Sequence, residues 1–330
     1  MRIFRGISEF TPDGAHSIVT IGNFDGFHLG HRQIVQTALS RARALGLTSI
    51  AYTFKPHPQI ALRPEKNIRL LTTYAEKLDL LAATGLDCVI EEPFSREFSS
   101  LDAATFFRDY LIRRLQAKAI VVGYDFGFGR DRQGQKEQLE KLCRDNGVEL
   151  TVVPPFRPAV DGGAEGAVVV SSSQIRSLIV QGNVPEANRL LGYDYFYRGT
   201  VTRGDSRGNR LGFPTANFRI EEKVSLPFGV YATITRVLNG ERAGTYGSVT
   251  NIGVRPTFNP GAGRPEDGVV ETHLLADPVD TQIDLYGRKI EVAFLARLRD
   301  EKKFDGVESL KRQIEADVVE AKKIHALQKP

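Results

Sequence analysis

The sequence predicts an α/β protein of two domains. The first, over residues 1–183, is a parallel sheet wound with helices. The second, over residues 184–330, is a small antiparallel β-barrel with a C-terminal helix. Three observations predict this. Between residues 17 and 153, short apolar and β-branched runs alternate with helical periods, the pattern of βα units in a sheet covered on both faces. After Gly182 the alternation gives way to short β-branched or aromatic runs separated by Gly- and Pro-rich turns. From about Glu308, residues Leu310, Ile314, Val318, Ala321 and Leu327 form one apolar stripe, so a terminal helix packs on the barrel.

The elements follow in order. Ser17–Ile21 reads as a buried strand, and Ile34, Ala38, Leu39, Ala42 and Leu45 space a helix behind it. Ser49–Phe54 is a strand ended by Pro56 and Pro58. Tyr74–Thr84 is a helix closed by Gly85. Cys88–Ile90 is a strand, Ala103–Leu115 a helix, and Ala119–Gly123 a strand. A helix from about Gln135 to Asn146 precedes the strand Glu149–Val153. Residues 158–167 form a polar surface loop, and Ser171-Ser172-Ser173 opens a further helix. Gly182–Gly192 is the joint between domains. Strands are expected at Tyr197–Val201, Val230–Ile234, Ser248–Ile252, Val269–Leu275 and Ile290–Leu295.

Composition narrows the function. Of 330 residues, 41% are hydrophobic and 25% charged, as in a globular protein with two cores. The net charge of +4 comes without a Lys/Arg block, so it suits anionic small substrates and gives no footprint for nucleic acid. Cys88 and Cys143 are the only cysteines and form no C-x-x-C pair, which speaks against a disulfide framework or a zinc-thiolate site. No apolar run reaches membrane-spanning length and Met1–Arg5 has no apolar signal core. A cytoplasmic enzyme is expected, without nucleic-acid or membrane partners, as a monomer or weak homo-oligomer.

The chemistry concentrates in a few stretches. Gly22-Asn23-Phe24-Asp25-Gly26-Phe27-His28-Leu29-Gly30-His31 joins the first strand to its helix. Glycines let a backbone approach a phosphate, and the first N–H groups of a helix have no partner within it. His28 and His31 share one face of that turn, where two imidazole donors suit a phosphate that gains charge in a reaction. A strand–helix turn with two surface histidines has the same spacing. Phe54-Lys55-Pro56-His57-Pro58 is a stiff proline turn. Gly123-Tyr124-Asp125-Phe126-Gly127-Phe128-Gly129 either closes on an adenine or flavin ring or is a tight turn packed by aromatics. Ser171, Ser172, Ser173 and Arg176 make either a plain capped helix or a second phosphate clamp.

In the second half, Arg203, Gly204, Arg207, Gly208, Arg210 and Gly212 form a basic, glycine-rich loop. It is either a mobile hairpin or a wrap for a polyphosphate. Thr215 and Asn217 sit at i, i+2 on one strand face. They could supply the one or two protein oxygens that a nucleotide-bound Mg²⁺ needs. Glu271 and His273 share a strand face, and Glu271 is a candidate acceptor for an alcohol proton. The chain has no G-x-x-x-x-G-K-[ST], so a kinase here is not of the P-loop class.

The long motif G-x-F-D-G-x-H-x-G-H resembles the H-x-G-H nucleotidyltransferases, and the rest of the chain sharpens the likeness. Gly199–Asn217, Gly229-Val230-Tyr231, Asn251–Thr257, Glu271–Leu275, Asp284–Gly287 and Arg299–Phe304 occur in the order found in riboflavin kinases. Over nearly all 330 residues the chain is similar to the bacterial bifunctional riboflavin kinase/FAD synthetases. That resemblance implies a Rossmann-like adenylyltransferase domain before the kinase barrel. It implies riboflavin, FMN, FAD and ATP as substrates and products, with Mg²⁺. It also implies catalytic roles for Glu271, His28, His31 and Arg176. Flavin contacts are implied at Phe54, Pro56, Asp125, Phe128, Tyr231, Arg299 and Phe304. ATP contacts are implied at Gly22–Gly26, Gly30, Ser171–Ser173, Arg203, Gly204, Arg207, Gly208 and Gly212, and metal contacts at Thr215 and Asn217. One stretch departs: Ala276 stands where relatives place Asp, Asp277 follows, and the run to Asp284 is longer. Ser173 replaces a frequent Thr and keeps the hydroxyl. Two other functions compete: an H-x-G-H transferase for another phosphorylated substrate, and a flavin-binding sensor without catalysis.

Overall fold

The computed structural model describes residues 1–12, 14–127, 136–158, 169–202, 213–220, 223–253, 268–275 and 285–327. Phe128, Arg203, Gly204, Arg207, Gly208, Gly212 and the run Ala276–Asp284 lie outside the described residues. The chain divides into two compact units, Met1–Ser172 and Ser173–Pro330.

The first unit holds six strands, all parallel: β1 (Arg2–Phe4), β2 (Ser17–Ile21), β3 (Thr48–Lys55), β4 (Cys88–Pro93), β5 (Ala117–Gly123) and β6 (Glu149–Val153). Their order is β1-β4-β3-β2-β5-β6. Every residue of β2 is buried, because helices cover both faces of the sheet. Val19 and Ile21 point into one core with Ile50 and Ile120, and Ile18 into another with Ala38 and Val121. From β2 the chain winds to β3 on one side and to β5 on the other. The crevice at this reversal lies beyond the carboxyl end of β2, where such sheets bind ligands. The H-x-G-H loop begins there.

Helix α1 (Leu29–Leu45) buries Val35, Ala38, Leu39 and Ala42 and ends at Gly46 in the left-handed region (φ 65°). The expected stripe is thus rotated slightly: Leu45 is exposed and Val35 takes its place. Short α2 (Pro58–Leu62) and α3 (Tyr74–Ala82) follow, the latter opened by a Thr73/Glu76 capping box. After α4 (Arg96–Ser99), the single helix expected over 103–115 is a short α5 (Ala103–Thr105) running into a π-helix, Phe106–Arg114. Its buried residues Phe106, Phe107 and Leu111 carry the wider period. Helix α6 (Lys136–Asp145) lies within the expected span. The edge strand β1 has no sequence signal, being three residues long and largely exposed.

Helix α7 (Ser172–Gln181), assigned to the first domain from sequence, belongs to the second unit from Ser173 onward. The stretch read as a joint contains α8 (Val184–Leu191), whose Val184, Ala187, Leu190 and Leu191 are buried. Asn188 fixes α8 to the barrel by donating to Phe294 O (2.8 Å) and accepting from the Tyr195 N–H (2.8 Å).

The barrel strands are β7 (Phe196–Thr200), β8 (Ala216–Arg219), β9 (Gly229–Val237), β10 (Gly244–Gly253), β11 (Val269–Leu274) and β12 (Lys289–Arg299). They are antiparallel in the order β7-β12-β9-β10-β11-β8. The Thr202 N–H donates to Asn217 O (2.8 Å), so the two ends of the sheet nearly close. One inner stretch is polar yet satisfied: Thr233, Thr235, Ser248, Thr250 and Thr272 hydrogen-bond one another at 2.7–3.2 Å. Helix α9 (Val307–Leu327) lays Val318, Ala321 and Ile324 on Val230, Ala232, Val249 and Leu295. Leu327, expected on that stripe, is 86% exposed.

The barrel has little room at its seam. A Cβ on Gly199 would lie 2.2 Å from Phe218 Cδ2. Gly199→Ala is therefore expected to destabilise the protein by about 1–3 kcal/mol, the usual cost of overpacking. Thermal unfolding checks this.

Candidate active sites

In the first unit the loop after β2 is held by its own packing. The Gly22 N–H donates to Tyr52 O (3.1 Å), which seats the loop against β3. The backbone is then left-handed at Phe24 (φ 52°), Gly26 (φ 74°) and Phe27 (φ 32°). Such angles are unfavourable for phenylalanine. Burial of both rings, edge-on to each other at 6.4 Å, maintains them. Asp25 is 3% exposed, and its Oδ1 accepts the N–H groups of Leu71 (2.9 Å) and Thr72 (3.3 Å). The Ser172 hydroxyl donates to the Asp25 carbonyl (3.0 Å). Phe24 and Asp25, expected as phosphate contacts, therefore shape the loop from beneath. A Cβ on Gly26 would meet Leu71 Cδ1 at 2.6 Å, which together with its φ requires glycine.

His28 is the N-cap of α1: its Nδ1 accepts the His31 N–H (3.3 Å). That bond leaves Nε2 as the protonated nitrogen of the neutral ring. The two imidazoles stack at 3.7 Å with planes 17° apart. Stacked rings cannot both carry charge cheaply. Burial, and secondarily His28, holds His31 well below the ordinary histidine range. His31 is therefore neutral at pH 7, and its Nδ1 is buried without a hydrogen-bond partner. The sequence expectation of two equivalent donors becomes an asymmetric pair: His28, which caps the helix through Nδ1, and His31 as its neutral support.

Around this loop, Phe54 is half-buried within an aromatic cluster with Tyr52, Phe94 and Phe98. Pro56 and Asp125 are exposed. His57 caps α2, its Nδ1 accepting the Gln59 N–H (3.2 Å). Ser171 and Arg176 are partly buried and Ser173 is exposed, with Ser173 and Arg176 in the first turns of α7. Thr53, Tyr74 and Lys77 also reach the loop ends, and sequence reasoning missed them. They lie inside elements whose pattern reads only as core.

In the second unit, Asn217 on β8, Glu271 on β11 and Asn251 on β10 are direct partners across three adjacent strands. Directly opposed residues keep their Cβ atoms about 4.5–5.5 Å apart on one face. The row Asn217–Glu271–Asn251 is thus a flat polar patch with one carboxylate. The Asn217 amide nitrogen donates to Thr215 O (3.2 Å), which aims its oxygen away from Thr215. His273 donates from Nδ1 to Pro214 O (2.9 Å) and so fixes the residue before Thr215. Burial lowers the His273 pKa, with the Pro214 bond opposing. Among the described residues no three His, Cys, Asp or Glu side chains converge on a metal position. Thr215 and Asn217 carry neutral oxygens beside a carboxylate, a donor chemistry that suits a Mg²⁺ arriving mostly bound to phosphate, although the Asn217 amide here turns its nitrogen and not its oxygen toward Thr215 Oγ1 (3.5 Å).

Two expected flavin contacts sit differently. Tyr231 is 0% exposed, donates to Pro227 O (2.6 Å) and packs edge-on against Phe294. It belongs to the barrel interior and offers no surface to a ligand. Arg299 is bound in two-pronged fashion to Asp317 of α9 (2.8–3.0 Å), with its guanidinium 5.8 Å from the Phe304 ring. It anchors the terminal helix and sets Phe304 beside it.

Comparison with known proteins gives a family for each half of the chain. A family model described as FAD synthetase matches residues 11–165, and one described as riboflavin kinase matches residues 191–325. The bifunctional riboflavin kinase/FMN adenylyltransferase of Escherichia coli strain K12 is 36% identical over 100% of both chains. That of Bacillus subtilis strain 168 is 36% identical over 93% of this chain and 92% of its own. A crystal structure from Streptococcus pneumoniae, described as a macrolide-efflux protein, has a TM-score of 0.81 and 31% identity over 97% of this chain and 98% of that one. Among the described residues of this chain, no helix is long and apolar enough to cross a membrane. Both catalytic units are matched in one order along its full length, and the chain belongs to the family of bifunctional riboflavin kinase/FMN adenylyltransferases.

Proposed function

We propose that the barrel unit phosphorylates riboflavin at its ribityl 5′-hydroxyl, and that the α/β unit transfers AMP from ATP to the resulting FMN, giving FAD and pyrophosphate. The observation that carries this reading is the pair of unlike sites: a carboxylate in a polar row on the barrel, and a histidine-capped glycine loop at the switch point of a parallel sheet.

The two reactions ask for different residues. An alcohol must lose its proton as it attacks, and Glu271 accepts it. Asn217 and Asn251 flank the carboxylate and orient the substrate hydroxyl and phosphates. Thr215 and Asn217 would hold Mg²⁺, which neutralises phosphate charge when bound with ATP. The FMN phosphate is already an anionic nucleophile. The adenylyl site therefore needs alignment and charge stabilisation rather than a base. His28 donates to the phosphate that gains charge. Asn23 and Gly30 bring the backbone close to that phosphate, Gly22 and Gly26 shape the loop with their N–H groups held by Tyr52 O and Thr72 Oγ1, and Ser171 and Ser172 stand beside it. Phe54, Pro56 and Asp125 border the flavin, and Phe304 flanks the flavin at the kinase site. Cys88 and Cys143, both buried and not joined in a disulfide, support a cytoplasmic setting.

Incubation with riboflavin, ATP and Mg²⁺ tests the reading. FMN and then FAD are expected, whereas a flavin sensor would bind without turnover and a transferase for another substrate would leave riboflavin unchanged. Thr215→Ala and Asn217→Ala are each expected to raise the Mg²⁺ concentration needed for FMN formation and to leave FAD formation from FMN unchanged. A titration of both activities against Mg²⁺ checks this, and unaltered Mg²⁺ dependence with unaltered ATP binding would remove the ligand assignment.

A further inference from the structure

Lys77 on α3 is only 4% exposed. A lysine there has given up its hydration, which is costly unless specific partners replace the water. Its Nζ donates to Thr53 Oγ1 (3.0 Å) and to Phe54 O (3.2 Å), both at the carboxyl end of β3. The Thr53 hydroxyl in turn donates to Asn23 O (3.3 Å) in the loop after β2. The same Nζ lies 5.2 Å from the centre of the Tyr74 ring, and the Tyr74 hydroxyl accepts the His57 N–H (2.8 Å). One ammonium group therefore joins two loops that come from different strands, Gly22–His28 and Phe54–Pro58.

We propose that Lys77 is a positioning residue for adenylyl transfer, its ammonium locking the ATP-phosphate loop at Asn23 to the flavin-side turn at Phe54–His57 so that the two substrates meet in line. The proposal rests on the reading of those two loops given above. Fold stability alone does not ask for a cation at this place, because well-packed apolar side chains commonly replace buried charges without loss of stability.

The groups facing Lys77 make its charge sensitive. Glu91 on β4 and Asp25 in the loop favour the ammonium. Lys55 on β3 and Arg5 after β1 oppose it, and Tyr74 contributes a neutral ring from α3 itself. Burial outweighs them all and lowers the lysine to about 8. Deprotonation above that pH removes the charge that holds Thr53 and Phe54. The locked geometry is therefore present at lower pH and fades as pH rises through this range.

The test is Lys77→Met in the full chain. FAD formation from FMN is expected to fall about ten- to a hundred-fold, the scale of a small misplacement of reacting groups. FMN formation from riboflavin by the same preparation should be unchanged, and the thermal midpoint unchanged or higher. In the wild type, kcat/KM for FAD formation should decline above about pH 8, because that ratio reports the free enzyme. Neither Lys77→Met nor the kinase reaction should show this limb. Wild-type FAD formation by Lys77→Met, or a wild-type profile flat between about pH 7 and 9.5, overturns the proposal. If the variant does not fold, the wild-type profile decides alone. A fully active His28→Ala enzyme would overturn the loop reading and this proposal with it. An inactive His28→Ala beside an active Lys77→Met overturns the proposal only.

Discussion

Glu271→Gln is expected to lower FMN formation by roughly two to four orders of magnitude, the usual worth of a positioned general base. Glutamine keeps the size of the side chain and its hydrogen bonding to neighbours, but it has no basic oxygen. The strand pairing places residue 271 between Asn217 and Asn251, so the amide can still sit in the polar row and the row itself survives. Riboflavin affinity should change little, because a flavin makes most of its contact through its ring. FAD formation from supplied FMN should persist, since that nucleophile arrives ionised. Turnover on each substrate, with riboflavin affinity from fluorescence quenching, checks all three. Near-normal kinase turnover in the variant would leave Glu271 as an orienting group and phosphoryl transfer to positioning alone.

His28→Ala is expected to have the mirror effect: FAD formation is abolished and FMN formation is kept. The size of the effect follows from two losses at one place. The Nε2–H donor disappears from the site where phosphate charge develops, a loss of about 10²–10³ for a single such donor. The N-cap of α1 disappears as well, which leaves the His31 N–H without its acceptor and costs roughly 1 kcal/mol of helix stability. The variant also removes one face of the imidazole stack, so His31 loses the neighbour that depresses its pKa while burial still does so. Product analysis with FMN as substrate, beside the kinase rate of the same preparation, separates the catalytic loss from unfolding.

The order and type of the main elements were legible because burial on both faces writes itself into β2, β3 and β5 as short runs rich in apolar and β-branched residues, and the barrel strands as similar runs set off by Gly- and Pro-rich turns. What the sequence could not show is direction. Asp25 stands in the middle of a glycine-rich motif, and by residue type it belongs with the phosphate contacts. The left-handed backbone at Phe24, Gly26 and Phe27 turns its carboxylate down onto the N–H groups of Leu71 and Thr72 instead. Tyr231 sits in a Gly-Val-Tyr motif, yet its place in β9 puts the ring inside the barrel. Arg299 has the composition of a ligand-binding arginine, and only the approach of α9 reveals its pairing with Asp317. Lys77 was invisible for the opposite reason. Within Tyr74–Ala82 it occupies a position that a solvated lysine would also fill, and its burial depends on β3 and the loop after β2. The π-helix at Phe106–Arg114 likewise shows only when the i, i+5 spacing of Phe106 and Leu111 is seen buried.

The central claim is that one chain carries two independent chemistries, one in each unit. It is tested most directly by mixing the two inactive variants. Supplied with riboflavin, ATP and Mg²⁺, Glu271→Gln alone should make neither product, and His28→Ala alone should accumulate FMN. An equal mixture of the two should make FAD, as FMN released by one chain is adenylylated by the other. A mixture that yields no FAD, or single variants that each lose both half-reactions while remaining folded, would contradict the division of labour.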